Sequence, residues 1–275
     1  MTELAVETPP QPAARAPSVW RAPQPSARWF AVWRRNFLVW KKLAAASLLG
    51  NVAEPLITLV AFGYSLGSLV GSVQGVPYVL FLASGSAAMS VMNAATFESL
   101  YSAFSRMHVQ RTWESILFTP TRLDDVVLAE IVWAASKALL TGVAMVLVIA
   151  ALGISRSPFL LLALPAFFLV GMVFAAMGLV FTAVARGYDF FTYYFTLFIT
   201  PMMFLSGVFF PQSQLPGWLQ ALAQWLPLAA AVDLVRPLFL GRLPAAPLAD
   251  LALLAAWGLG SAYLALALTR RRFAL

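Results

Sequence analysis

The chain has no cysteine and a single histidine in 275 residues. Disulfides, thiolate catalysis and cysteine-based zinc sites are therefore excluded, and a histidine-rich metal site has no ligands. Charge is also scarce, with 11% of residues charged against 61% hydrophobic, where a soluble domain carries about 25% charge. There is no G-x-x-x-x-G-K-[ST] phosphate loop and no H-E-x-x-H, so those routes to nucleotide and zinc chemistry are closed. The acids are too scattered for a paired-carboxylate set. What is present is hydrocarbon: a mean hydropathy of +0.82 indicates an all-α integral membrane protein that crosses the bilayer several times.

Residues 1–27 are proline-rich with scattered charge and lack the apolar core of a signal peptide, and are expected to be a disordered cytoplasmic tail. Over 28–42, RWFAVWRRNFLVWKK, aromatics recur at helical spacing while Arg34, Arg35, Lys41 and Lys42 fall largely on other faces. That pattern suits an amphipathic helix in the headgroup plane; a basic flank to the first span is the alternative.

Six transmembrane helices are expected. Pro55 to Phe97 holds no charged residue, and since about 20 helical residues cross the hydrocarbon, it fits two crossings, placed at about 47–70 and 78–100. Gly67, Gly71, Gly75 and Pro77 mark the turn between them. Asp124 and Asp125 can cap a third span, 126–152. A fourth is expected at 158–184, with Gly171, Ala175, Ala176 and Gly178 allowing close packing, and a fifth at 190–210. Pro211, Pro216 and Pro227 then break the apolar sequence into short re-entrant or interfacial helices, tolerable only if buried or facing water. The sixth span, 248–269, ends at Arg270, Arg271 and Arg272. This topology puts fourteen Lys or Arg on one side and three on the other, which places both termini in the cytoplasm. The net charge of +7 is then a topology signal and not a nucleic-acid footprint.

One long polar stretch interrupts the hydrocarbon, Phe104 to Glu130, holding Arg106, His108, Arg111, Glu114, Arg122, Asp124, Asp125 and Glu130. Arg106 to Phe118 suits a short amphipathic helix, with Met107, Trp113, Ile116, Leu117 and Phe118 as its apolar side. Thr119-Pro120 ends it. A rigid helix just outside two spans is something a soluble motor could grip, or else a plain surface helix. His108 is expected to be a solvated or interfacial loop residue. Glu54, Glu98 and Lys137 lie at or near membrane depth, where ionisable groups are expensive. Glu54 suits a headgroup contact or gate, or a polar lock between helices. Glu98 is close enough to pair with Arg106 or a base of the first helix, and Lys137 has Glu130 on its own face. Asp233 and Arg236, spaced i,i+3, can pair on an extracytoplasmic helix.

The run from Asn93 to Lys137, NAATFESLYSAFSRMHVQRTWESILFTPTRLDDVVLAEIVWAASK, resembles the corresponding segment of ABC-2 type transporter permeases. Within them it is similar to the NodJ-like group, associated with lipo-oligosaccharide export, and to the daunorubicin-type (DrrB-like) drug permeases. Glu54-Pro55-Leu56 with Gly63-Tyr64-Ser65-Leu66-Gly67 resembles the group's first span, and FLSGVFFP, LP, WLPL and DLVRP between Pro201 and Pro237 its extracytoplasmic signature. The likeness covers roughly 30 to 272. It implies a permease domain over 28–275 that carries no cofactor or catalytic residue and dimerises with a second copy of itself. Two copies of a separate ABC ATPase would bind ATP and magnesium. It also implies an interface helix at 28–42 and a coupling helix, between the second and third spans, carrying Arg106, Arg111, Trp113, Glu114, Leu117, Thr119 and Pro120. The expected function is export across a bacterial inner membrane of an amphiphile, a lipo-oligosaccharide first and a hydrophobic drug or lipid-linked glycan next. An ATPase-independent membrane enzyme or assembly scaffold is the alternative of another class.

Overall fold

The computed structural model describes residues 19–274; residues 1–18 of the expected tail lie outside them. Helix α1 (Trp29–Lys41) precedes α2 (Ala44–Val70), where several side chains, that of Glu54 among them, lie outside the described residues. Gly71, at φ 68°, ends α2 in a conformation that L side chains rarely adopt. A small antiparallel hairpin follows, β1 (Ser72–Val73) on β2 (Val76–Pro77). Its two-residue turn has Gln74 and Gly75 both at positive φ, the handedness that matches strand twist.

Helix α3 (Tyr78–Phe97) runs on through two π-helical turns, 98–102 and 105–109, giving a continuous apolar helix Tyr78–Val109. The expected end near residue 100 is thus too early. At the first π turn Thr182 Oγ1 donates to the Ser99 carbonyl at 2.7 Å, a tertiary partner for backbone at the irregular turn. After α4 (Thr112–Leu117) come α5 (Leu123–Ala151) and α6 (Leu160–Val184). The next apolar helix, Phe190–Leu205, is built from α7 (Phe190–Tyr194), a π turn over 195–199 and α8 (Thr200–Leu205). Helices α9 (Gly217–Ala223) and α10 (Pro227–Phe239) meet at 82°, and α11 (Pro247–Phe273) closes the described chain.

Among the described residues, four helices are long and apolar enough to cross a membrane: Tyr78–Val109, α5, α6 and α11, or five if the bent α9–α10 pair is one span. They coincide with the expected spans at 78–100, 126–152, 158–184 and 248–269. The expected first span falls on the 27-residue α2, whose described apolar part is Leu59–Val70, and the expected fifth on Phe190–Leu205, which is shorter than a crossing requires.

Helices α3, α5, α6, α10 and α11 supply most of the buried core. Close approach is built on small residues. A Cβ on Gly171 of α6 would stand 2.9 Å from Ala135 Cα of α5, and one on Gly178 would stand 2.0 Å from Ser99 Oγ of the α3 extension. Helix α1 lies against α5: Trp33, Phe37 and Trp40 all pack on Trp133, with centroids 5.8 to 6.5 Å away. Those three aromatics therefore face protein, while Phe30, Leu38 and Val39 stay exposed.

Residues 19–27 are not a loose tail. Arg270 of α11 donates to the carbonyls of Val19, Arg21 and Ala22, and Tyr263 Oη donates to that of Trp20 at 2.7 Å. Gln24 N donates to Asp124 and Ser26 N to Asp125, at 2.9 and 2.5 Å. The segment is a strap from the end of α11 to the start of α5. It holds because extended, proline-rich backbone has free carbonyls that a guanidinium can collect.

Candidate functional site

The polar stretch between α3 and α5 is the centre of the site. The π turn at 105–109 brings Arg106 inward. Arg111, at φ 49°, then reverses the chain, so the single helix expected from Arg106 to Phe118 is split. Only Thr112–Leu117 forms α4. Arg122, extended at the N-cap of α5, donates its backbone N–H to Asp125 Oδ2 at 3.1 Å, which meets one of the helix's open donors. Asp124 is turned away to Arg270, which grips it with two bonds at 3.1 and 2.6 Å.

Beneath α4 lies a chain of alternating charge. Lys137 Nζ sits 2.7 Å from Glu98 Oε2, and Glu98 Oε1 is 2.9 Å from Arg106 Nη1. Arg106 continues to Glu130 through Nε and Nη2 at 3.0 and 2.5 Å. Three uncharged donors complete the acids: Trp133 Nε1 to Glu98 at 2.8 Å, and Trp113 Nε1 and Asn36 Nδ2 to Glu130 at 3.2 and 3.3 Å. Both carboxylates are buried, and burial of this kind is tolerable only when the lone pairs are met. The chain ties α1, the α3 extension, α4 and α5 into one rigid base.

Of the residues expected to contact an ATPase, Arg106 and Trp113 are committed to this base and do not face outward. Trp113 is 1% exposed and stacks on Phe273 at 6.2 Å. The indole turns inward because burying it satisfies both its apolar area and its N–H. Removing it would damage the fold, so Trp113→Ala cannot test coupling by itself. Leu117 is half-buried, while Arg111, Glu114, Thr119 and Pro120 are exposed. Phe118, which was placed on the apolar side, is 92% exposed. An aromatic ring left so open beside a proline is a signal for a contact surface that the sequence pattern did not separate from core.

Lys137 pairs with Glu98, across helices, and not with Glu130 on its own face. The expected Asp233–Arg236 ion pair is not made among the described residues. Arg236 instead turns inward, 3.8 Å above the Phe81 ring, and donates to Gly207 O at 2.6 Å and Ser84 Oγ at 3.2 Å. A guanidinium gains more from a ring face and a carbonyl in a dry site than from an exposed carboxylate. His108 is half-buried against Phe104, with centroids 4.4 Å apart. Among the described residues no group of three or more His, Cys, Asp or Glu is arranged to hold a metal ion. The C-terminal arginines do more than stop a helix: Arg272 Nη1 donates to the carbonyls of Thr182, Ala183 and Ala185 at the end of α6.

The ABC-2 type transporter family model matches residues 27–240. Nodulation protein J of Sinorhizobium fredii is 53% identical over 209 residues, covering 76% of this chain and 80% of that protein. Nodulation protein J of Rhizobium meliloti is 47% identical over 243 residues, covering 87% and 91%. The inner membrane transport permease YadH of Escherichia coli is 26% identical over 200 residues, covering 70% and 76%.

Proposed function

The chain belongs to the ABC-2 type transporter family of membrane permeases, which are transport subunits and not enzymes, and from that premise we propose that it is the membrane half of an ATP-driven exporter. In this reading residues 28–275 form the permease, six spans cross a bacterial inner membrane, and both termini face the cytoplasm. The excess of Lys and Arg at 28–42, in the α3–α5 connection and at Arg270 to Arg272 supports that orientation. Two copies of this chain join two copies of an ABC ATPase, which holds ATP and magnesium. The cargo is an amphiphile. A lipo-oligosaccharide is the first choice, on the likeness to proteins named for nodulation.

The observation that carries the proposal is the construction of the α4 region. Arg111, Glu114, Phe118, Thr119 and Pro120 are exposed together, over a base clamped by Arg106, Glu130 and Trp113. Force applied to such a ridge passes into α3 and α5 without being lost in loop motion. Closure of the ATPase dimer would push on the ridge, and Tyr78–Val109 and α5 would move with it.

Phe118→Asp with Glu114→Arg tests this. Both side chains are exposed, so the permease should keep its membrane level and melting temperature. Affinity for the ATPase should fall by roughly 2 kcal/mol, about thirtyfold, as for loss of an interface anchor. Pull-down of the tagged chain with a co-expressed candidate ABC ATPase, followed by ATPase and export assays in lipid, reads both effects. Unchanged retention and export would remove the coupling role from α4.

A further inference from the structure

Between α1, the cytoplasmic end of the α3 extension and α5 lies a cavity of about 500 Å³, within the range of ligand sites. Its lining is short of negative charge. Arg35, Arg106 and Lys137 face it against Glu98, with Glu130 behind Arg106. Arg106 and Lys137 have their carboxylates; Arg35 does not. Among the described residues no acid lies within ion-pair distance of it, and its Nη1 donates only to Asn36 Oδ1, at 3.0 Å. Burial, and next the neighbouring Arg106 guanidinium, draw the Arg35 pKa down from its ordinary value, while Glu130 opposes them. A guanidinium keeps its charge through such a shift, so the site carries an unneutralised cation.

A second observation is independent of charge. Trp40 lines the same cavity, and its indole N–H is buried with no acceptor among the described residues. A buried donor without a partner is costly. Cation and donor together ask for an acceptor-rich anion. The rim adds the other half of the ligand's character: Val39 and Leu43 line the opening and are 57% and 68% exposed.

We propose that this cavity binds the phosphate of an anionic amphiphile, with Arg35 as its ion partner, the Trp40 N–H donating to a phosphate oxygen, and the apolar chain leaving over Val39 and Leu43. The site rests on the placement of α1 at the membrane surface and on nothing about the ATPase. The same phosphate chemistry could be supplied by a bilayer phospholipid or by free phosphate; the apolar rim favours the lipid.

The test uses the full-length chain in detergent without any ATPase, so its result is independent of whether α4 couples. Phosphatidylglycerol and phosphatidylcholine are titrated separately and bound lipid is counted by native mass spectrometry, with inorganic phosphate added as competitor. One phosphatidylglycerol per chain should be retained in preference to phosphatidylcholine. Arg35→Gln should weaken it about tenfold or more, as expected for a charge-assisted bond, and Arg35→Lys should recover part of the loss. Trp40→Phe should weaken it about threefold, an effect that stands even if the Arg35 variants fold poorly. Arg34→Gln, one position away but exposed, should change nothing. Displacement by millimolar phosphate with no preference for lipid would assign the site to a soluble anion. Equal weakening by Arg34→Gln and Arg35→Gln, or no binding of either lipid or phosphate, would overturn the proposal.

Discussion

Glu130→Ala is expected to destabilise the protein by about 3–5 kcal/mol, the range for breaking a buried ion pair. Glu130 is 2% exposed and accepts from Arg106, Trp113 and Asn36 at once. Without it, Arg106 keeps only Glu98, which it already shares with Lys137, leaving two cations on one carboxylate. The indole of Trp113 also loses its acceptor. Thermal unfolding in detergent should show a melting temperature lower by about 10 °C. Pairing Arg106→Met with Glu130→Leu should recover more than half of that loss, because an apolar pair replaces a buried charge pair at little cost. A single variant that melts within about 2 °C of the parent would show that the base beneath α4 is not held by these charges.

Gly171→Val should have a comparable effect through sterics. Its first added carbon would stand 2.9 Å from Ala135 Cα and 3.2 Å from Ala135 O. Those are backbone atoms of a 29-residue helix, and they cannot turn aside. Helices α5 and α6 would have to separate, opening voids along their contact. A loss of about 3 kcal/mol, the upper part of the overpacking range, follows. Gly178→Ala makes a useful contrast. The atoms in its way are Ser99 Oγ at 2.0 Å and Ser99 Cβ at 3.0 Å, so Ser99→Ala in the same chain removes the worse clash and should restore part of the stability, whereas no side-chain deletion should rescue Gly171→Val. If Ser99→Ala restores nothing, the Ser99 hydroxyl is not what limits that position.

The long apolar helices were legible because composition alone sets them. The run without charge around Leu160–Val184 exceeds what hydrocarbon requires, and that of Pro247–Phe273, between Asp250 and Arg270, about meets it; the close-packing Gly171 and Gly178 stood out within the first. The continuation of α3 to Val109 was not legible. It passes through a π turn whose Ser99 carbonyl is met by Thr182, 83 residues away, and no local pattern announces that. The partner of Lys137 was missed for the same reason: Glu98 lies 39 residues back on another helix, while Glu130 was near at hand in sequence. At α4, six residues are too few for periodicity to say which side meets protein. Trp113 and Phe118 are both large and aromatic, yet one is sealed and the other bare. Asp233 and Arg236 satisfied a spacing rule, but spacing does not weigh an exposed carboxylate against the Phe81 ring.

The strap over residues 19–27 has a consequence for the order in which the protein is made. Its backbone is among the first described residues to leave the ribosome, but the guanidinium that gathers its carbonyls sits at Arg270, near the end of α11. The 19–22 end of the strap therefore stays open until α11 has been inserted, whereas Gln24 and Ser26 can reach Asp124 and Asp125 as soon as α5 is made. Shutting it seats Arg270 on Asp124, at the head of the helix that follows α4. A nascent or C-terminally clipped chain would thus leave Asp124 without its guanidinium, while Asp125 keeps Arg122 N and Ser26.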